Sequence, residues 1–342
     1  MNGNYLIEFS YLLASILFIY GLKGLSHPKS ARRGMNSAAL GMLVAIVGTL
    51  LHHDIIDYTW IIVGLLIGGL IGAAMSIWMP MTAMPQRTAL SHAFGALAAS
   101  LVGISEYYQH VVAEPNGTVS AFKMTALGFE VLFGSLTVTG SLLAFVKLQE
   151  WMRGTPVTYK GQNVINVSLF ATAAVIFIYL IYDPTQSTLF YVMVVLSFLF
   201  GILLVLPIGS ADMPVVMSLM NSYAGLASAA TGFAIGNNVL IIAGTLDGFS
   251  GFILSILMCK AMNRSVTNVL FGAFGSVSTD TGPGVEGVMR EVGPDDVAVQ
   301  LAYARQVVFV PGYGMATAQA QHAVRELAEV LEHKGVNVKY AI

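Results

Sequence analysis

The chain is 342 residues long, 56% hydrophobic and 10% charged, where an ordinary soluble domain carries about a quarter of its residues as Asp, Glu, Lys and Arg. That balance excludes a wholly soluble enzyme, and a net charge of −2 offers no basic field for nucleic acid. A single cysteine, Cys259, excludes an intrachain disulfide and any cysteine-only metal cage.

The first apolar run, Leu6 to Leu25, has no basic segment before it, while Lys29, Arg32 and Arg33 follow it. These are the flanks of an N-out anchor, not of a cleaved signal peptide. A bilayer takes about 20 apolar residues per helix, and nine segments qualify: 5–25, 37–53, 59–79, 88–108, 122–147, 164–182, 187–208, 213–234 and 238–259. Glycine, alanine and serine dilute the second and the eighth. The basic residues alternate between loops. Lys29, Arg32 and Arg33 fall in the first, Arg87 in the third, Lys147, Arg153 and Lys160 around the fifth, and Lys260 and Arg264 follow the ninth span. Lys123 is the exception. By the positive-inside rule the N-terminus lies outside and the C-terminus in the cytoplasm.

The tail has a different chemistry. Ser276 to Gly293 is rich in glycine, serine and threonine without apolar periodicity, and reads as a linker. Pro294-Asp295-Asp296 opens a short helix to Ala304. Gln306 to Val310 reads as a buried strand, Ala316 to Lys334 as a helix stopped by Gly335, and Val336 to Ile342 as a second strand. Such a βαβ unit makes parallel neighbours through a right-handed crossover. Two strands and one helix cannot cover both faces of a parallel sheet, so the chain is expected to hold only the start of an α/β, Rossmann-like domain. The expected organisation is an α-helical polytopic membrane domain at 1–264, a linker with a short helix at 265–304, and the first βαβ of a nucleotide domain at 305–342.

Gly312-Tyr313-Gly314-Met315-Ala316-Thr317 fills the first two positions of the G-x-G-x-x-G/A fingerprint between strand and helix, where bare backbone can approach a pyrophosphate. Thr317 departs at the third position, and no acid ends the second strand, which disfavours an ordinary NAD site. Ionisable residues inside a bilayer are functional suspects. His92 exchanges protons near neutral pH, or it is a histidine hydrogen-bonded between helices. Glu130 and Asp247 are deeper acids, each a relay carboxylate or a neutral acid bonded to a neighbouring helix. Asn221, Ser222 and Ser141 pass protons through water or hold helices together. Asp57, His52, His53 and Glu106 sit near span ends and read as interfacial.

Several of these residues lie in long motifs: MPQRTALSH (84–92), TVTGS (137–141), ADMPVVMSLMNSYAGLASAATGFAIGNN (211–238), GFILSILMCKAMNRSV (251–266) and PGYGMATAQAQ (311–321). In this order, across essentially the whole chain, they resemble the beta subunit of proton-translocating NAD(P) transhydrogenase. The resemblance implies hydride transfer from NADH to NADP coupled to inward proton movement in a bacterial cytoplasmic (inner) membrane. It implies an alpha subunit that binds NAD(H), a second beta copy, and NADP(H) held here by Gly312, Tyr313, Gly314, Met315 and Ala316. His92 matches the channel histidine, Asn221 and Ser141 the polar positions of the eighth and fifth spans, and Asp212 an acid where membrane and nucleotide domains meet. No metal is implied. The family's later NADP motifs are expected beyond Ile342, and Glu130 and Asp247 match no relay position. The competing reading is a secondary transporter whose cytosolic βαβ tail senses nucleotide, which inverted repeats would favour; none is visible.

Overall fold

The computed structural model describes residues 2–51, 58–114, 119–152, 154, 156–159, 161–263, 265–266, 293–312, 315 and 320–341. The chain forms two compact units, Met1–Ser278 and Thr279–Ile342.

The first unit is helical. Its long helices are α1 (Asn2–Leu25), α2 (Pro28–Leu50), α3 (Thr59–Trp78), α4 (Met84–Tyr107), α5 (Ala121–Leu148), α6 (Gln162–Tyr182), α7 (Ser187–Val205), α8 (Met213–Ile235) and α9 (Asn238–Ala261). Eight of them are long and apolar enough to cross a membrane, so the chain is a polytopic membrane protein. The helix outside that set is α8, whose Ser218, Asn221, Ser222, Gly225, Ser228 and Gly232 dilute its hydropathy.

Two helices begin earlier than their apolar stretches predict. α2 starts at Pro28 and α4 at Met84. Lys29, Arg32, Arg33 and Arg87, expected in loops, therefore occupy the first turns of helices. Proline near the start costs nothing there, because the first N–H groups lack intrahelical partners anyway, and long basic side chains can reach past the helix end to water. Ser120 caps α5 by accepting from the Lys123 N–H at 3.2 Å, and Asn237 caps α9 by accepting from Leu240 at 3.1 Å.

α5 is the axis of the bundle. It packs on α4, α6, α7 and α8, and most of its residues from Met124 to Lys147 are buried. Small residues allow the approach: a Cβ on Gly134 would lie 2.5 Å from Ser100 Oγ of α4. Apolar solvent gives helices no hydrophobic reason to associate, so close packing and polar side chains hold them. Thr139 donates to the Phe198 carbonyl of α7 at 2.7 Å, and Tyr107 donates to Pro184 at 2.7 Å while stacking on Phe190. α3, by contrast, has no buried residue.

α8 and α9 pack backbone to backbone. A Cβ on Gly225 would collide with the backbone of Gly248 and stand 2.9 Å from the Gly244 carbonyl, so glycine alone permits this crossing. Ser218 then reaches across to the Gly251 carbonyl at 2.9 Å.

The second unit contains α10 (Pro294–Ala302), β1 (Gln306–Phe309), α11 (Gln321–His333) and β2 (Asn337–Tyr340). β1 and β2 are parallel, with Gln306 opposite Asn337 and Phe309 opposite Tyr340. α11 ends as its glycine predicts. Gly335 takes φ +81° and donates to Glu332 at 2.9 Å, while Val336 donates to Leu331 at 3.1 Å, the paired bonds of a Schellman stop. The expected linker at 276–292 lies outside the described residues.

Candidate functional site

Three of the polar side chains singled out come from α4, α8 and α9: His92, Asn221 and Asp247. Asn221 sits mid-helix on α8 and Asp247 mid-helix on α9. The Asn221 amide donates to Asp247 Oδ1 at 3.0 Å and lies 3.4 Å from the Asp247 carbonyl. Gly251, one turn further along α9, makes the room: a Cβ there would be 2.9 Å from Asn221 Nδ2 and 2.8 Å from Ser222 N. Helical spacing puts 247 and 251 on one face, so the acid and the space for its partner come together.

His92 comes from α4. Its imidazole lies within electrostatic reach of the Asp247 carboxylate, and its Nδ1 is buried with no hydrogen-bond partner among the described residues. An imidazole with one free buried nitrogen, beside a carboxylate held by an amide, can accept and return a proton. Asn221 cannot itself titrate; it fixes the carboxylate that faces the imidazole.

The other predicted residues fall elsewhere. Ser141 is buried on α5, its hydroxyl without a partner, and no hydrogen bond joins it to His92 or Asn221 among the described residues. Asp212 ends a short 3₁₀ turn, Ser210–Asp212, immediately before α8, and its N–H donates to Gly209 at 3.0 Å. In the second unit, Met315 donates to the Gly312 carbonyl at 3.1 Å. A Cβ on Gly312 would meet nothing within 4 Å. The described part of this turn therefore leaves bare, open backbone after β1, which fits a phosphate-bearing group. Tyr313, Gly314, Ala316 and Thr317 lie outside the described residues, as do His52, His53 and Asp57.

Sequence reading left Asp247 open between a relay carboxylate and an acid bonded to a neighbouring helix; the structure bonds it to Asn221 of α8 and puts it within electrostatic reach of His92. It also treated Lys147 only as a loop charge. Lys147 is 1% exposed, and its ammonium donates to the carbonyls of Val205 (3.2 Å), Ile208 (2.8 Å) and Leu206. This cation closes the C-terminal end of α7, where carbonyls lack intrahelical donors, and it fixes the segment leading to Asp212. The available signal was a lysine in the last turn of an otherwise apolar helix. Lys123, the exception to the charge alternation, pairs with Glu106 of α4 at 2.8 Å, so it adds no net positive charge to its end of the bundle.

Comparison with known proteins bears on the whole arrangement. The profile of the family described as NAD(P) transhydrogenase beta subunit matches residues 7–342. The NAD(P) transhydrogenase subunit beta of Rhodospirillum rubrum is 42% identical over 339 residues, which cover 97% of this chain and 73% of that protein. A named strain of the same species gives the same values.

Proposed function

The chain belongs to the NAD(P) transhydrogenase beta-subunit family, and from that premise we propose that its helical bundle carries protons through the His92–Asn221–Asp247 site. It is a membrane subunit of a proton-translocating transhydrogenase, an oxidoreductase that uses NADP(H) and NAD(H) and works with an alpha subunit. A secondary transporter with a nucleotide-sensing tail is not favoured.

The finer assignments extend that reading. The bundle crosses the bacterial inner membrane nine times, with α8 counted as the eighth span. The N-terminus is outside and the nucleotide unit is cytoplasmic, as the basic residues of the first turns of α2 and α4 suggest. Residues 1–264 form the channel, 265–304 the connection and 305–342 the beginning of the NADP(H) domain. Gly312, Tyr313, Gly314, Met315 and Ala316 line the pyrophosphate, with NAD(H) on the alpha subunit, and a second beta subunit pairs with this one. NADP(H), when bound, supplies the hydride chemistry. This chain's residues bind it and move the proton.

Coupling follows from reciprocity: if protonation of His92 changes how tightly NADP(H) is held, NADP(H) must change the proton affinity of His92 by the same factor. Lys147 and Asp212 sit at the bundle end that leads into α8, the helix carrying Asn221.

The observation that carries the reading is the Asn221 amide of α8 donating at 3.0 Å to Asp247, an exposed residue of α9, with His92 of α4 within electrostatic reach of that carboxylate. His92→Ala, in the complex with its alpha subunit reconstituted into sealed vesicles, is expected to abolish proton-coupled turnover. Near-wild-type proton movement by that variant would sink the assignment.

A further inference from the structure

Another ionisable group is more deeply enclosed than His92, Asn221 or Asp247. Glu130 of α5 is 0% exposed, and among the described residues neither carboxyl oxygen has a hydrogen bond of ordinary geometry, although the Thr231 hydroxyl and the Gly103 N–H stand beside it. The polar group beside it is the Thr231 hydroxyl of α8, and that hydroxyl donates to its own helix at Ala227 (3.0 Å). The carboxyl rests on Gly103 of α4, where a Cβ would stand 3.0 Å from Glu130 Cδ and 3.3 Å from Oε1. The Gly103 N–H is committed to the α4 ladder. A carboxylate in such a place costs several kcal/mol, so the group keeps a proton unless water or a base reaches it.

What surrounds Glu130 gives it a direction. One turn from Gly103 along α4 stands Glu106, partly exposed, paired with Lys123 at 2.8 Å and 3.6 Å from His110 Nδ1. Its charge is felt at Glu130. α6, α7 and α8 contain no Asp, Glu, Lys, Arg or His, and their titratable groups are the tyrosines Tyr179, Tyr182, Tyr191 and Tyr223; α4 brings Arg87, His92, Glu106 and Tyr107, and the 3₁₀ turn before α8 brings Asp212. In the other direction the α4 face that bears Gly103 continues through Ser100 and Ala96 to His92. Gly134, one turn beyond Glu130, is the α5 residue facing Ser100. Ser100 and Ala96 are buried. Eleven residues of helix separate Gly103 from His92, roughly 16 Å, along one seam between α4 and α5. The Ser135 hydroxyl, buried nearby on α5, also has no partner.

We propose that Glu130 is a second proton-binding group of the bundle, which loads from water at the Glu106–Lys123–His110 end and exchanges along the α4–α5 seam with His92. In the loading step a hydronium loses a proton to a Glu130 carboxylate oxygen, leaving water and a carboxylic acid. In the next step the Glu130 O–H bond breaks, an N–H bond forms at the unpartnered His92 Nδ1 after relay through water in the seam, and a carboxylate and an imidazolium result. The proposal rests on the reading of this bundle as a proton path.

The test uses the complex with its alpha subunit in sealed vesicles, with turnover and proton movement followed as pH is varied on the Glu106 side. Glu130→Gln keeps the shape and removes the titration. Proton-coupled turnover is expected to fall tenfold or more and to lose its dependence on pH at that side, with Tm unchanged and Glu130→Asp recovering part of the dependence. Wild-type turnover in the glutamine variant overturns the proposal, and so does lowered turnover with the pH dependence intact, which marks a packing role. A wild-type complex that moves no protons defeats the parent reading instead. If Glu130→Gln does not assemble, infrared difference spectra of the Asp247→Asn complex decide. A carboxylic C=O band at the high-frequency edge, typical of an acid without hydrogen bonds, that changes with pH supports the proposal; its absence overturns it.

Discussion

Gly251→Ala is the sharpest probe of the site, because one methyl group tests both the packing of α8 on α9 and the Asn221–Asp247 bond. The new Cβ would lie 2.8 Å from the Ser218 carbonyl oxygen, 2.8 Å from Ser222 N and 2.9 Å from Asn221 Nδ2. Two of these are backbone atoms that no rotamer change can remove. Restoring ordinary contact needs a displacement of about half an ångström, and overpacking of this kind costs about 1–3 kcal/mol. The same shift would stretch the 3.0 Å bond from Asn221 to Asp247 to the limit of a hydrogen bond. Misplacement on that scale in a reacting constellation lowers rates by roughly 10- to 100-fold. The assay is turnover and proton movement of the reconstituted complex, with thermal unfolding in detergent measured alongside. Gly64→Ala is the matched control, since a Cβ there meets nothing within 4 Å. Wild-type turnover in Gly251→Ala would refute the argument, whether because the helices separate freely or because the Asn221–Asp247 contact is idle.

Asp247→Asn keeps an acceptor for the Asn221 amide and removes the charge facing His92; it is expected to shift the pH profile of turnover with little change in Tm, and an unmoved profile would remove Asp247 from the site. Lys147→Met removes the charged donor from three carbonyls: Val205 keeps the Ile208 N–H at 3.1 Å and Leu206 the Val157 N–H at 3.4 Å, while Ile208 loses the Lys147 bond of 2.8 Å. The substitution should destabilise the subunit by about 2–4 kcal/mol, read as a drop in Tm of several degrees, and an unchanged Tm would refute the role of Lys147 as the closure of α7. Asp183, in the turn before α7, accepts from the Thr185 hydroxyl at 2.6 Å, from Gln186 Nε2 at 3.1 Å and from the Thr185 N–H at 3.2 Å, and these bonds hold its carboxyl below the usual carboxylate range. Its contribution is therefore present above the ordinary carboxylate pKa and lost as pH falls through the lowered one. Hydrogen exchange of the turn, corrected for intrinsic rates, should speed up only in that acidic window, and not at all in Asp183→Asn.

The spans could be read from the sequence because a bilayer demands length and apolarity from each helix separately, and both are sums along one segment. The stop at Gly335 was equally legible, since the backbone conformation it permits is local. The long motifs carried the family. Apolar runs could not reveal that α2 and α4 begin before their hydrophobic stretches, because basic first turns look like loop to a hydropathy count. Nor could they say which polar residues meet. Asn221 and Asp247 are 26 positions apart, Lys147 and Val205 are 58 apart, and Glu130 reaches Gly103 of another helix. Each meeting depends on how helices rotate about their axes and how closely glycines let them cross. Amphipathic patterning fixes that rotation when water covers one face of a helix, and in a bilayer both faces are apolar. Only the packed bundle, through glycines that admit backbone contact and polar groups that need a partner, decides it.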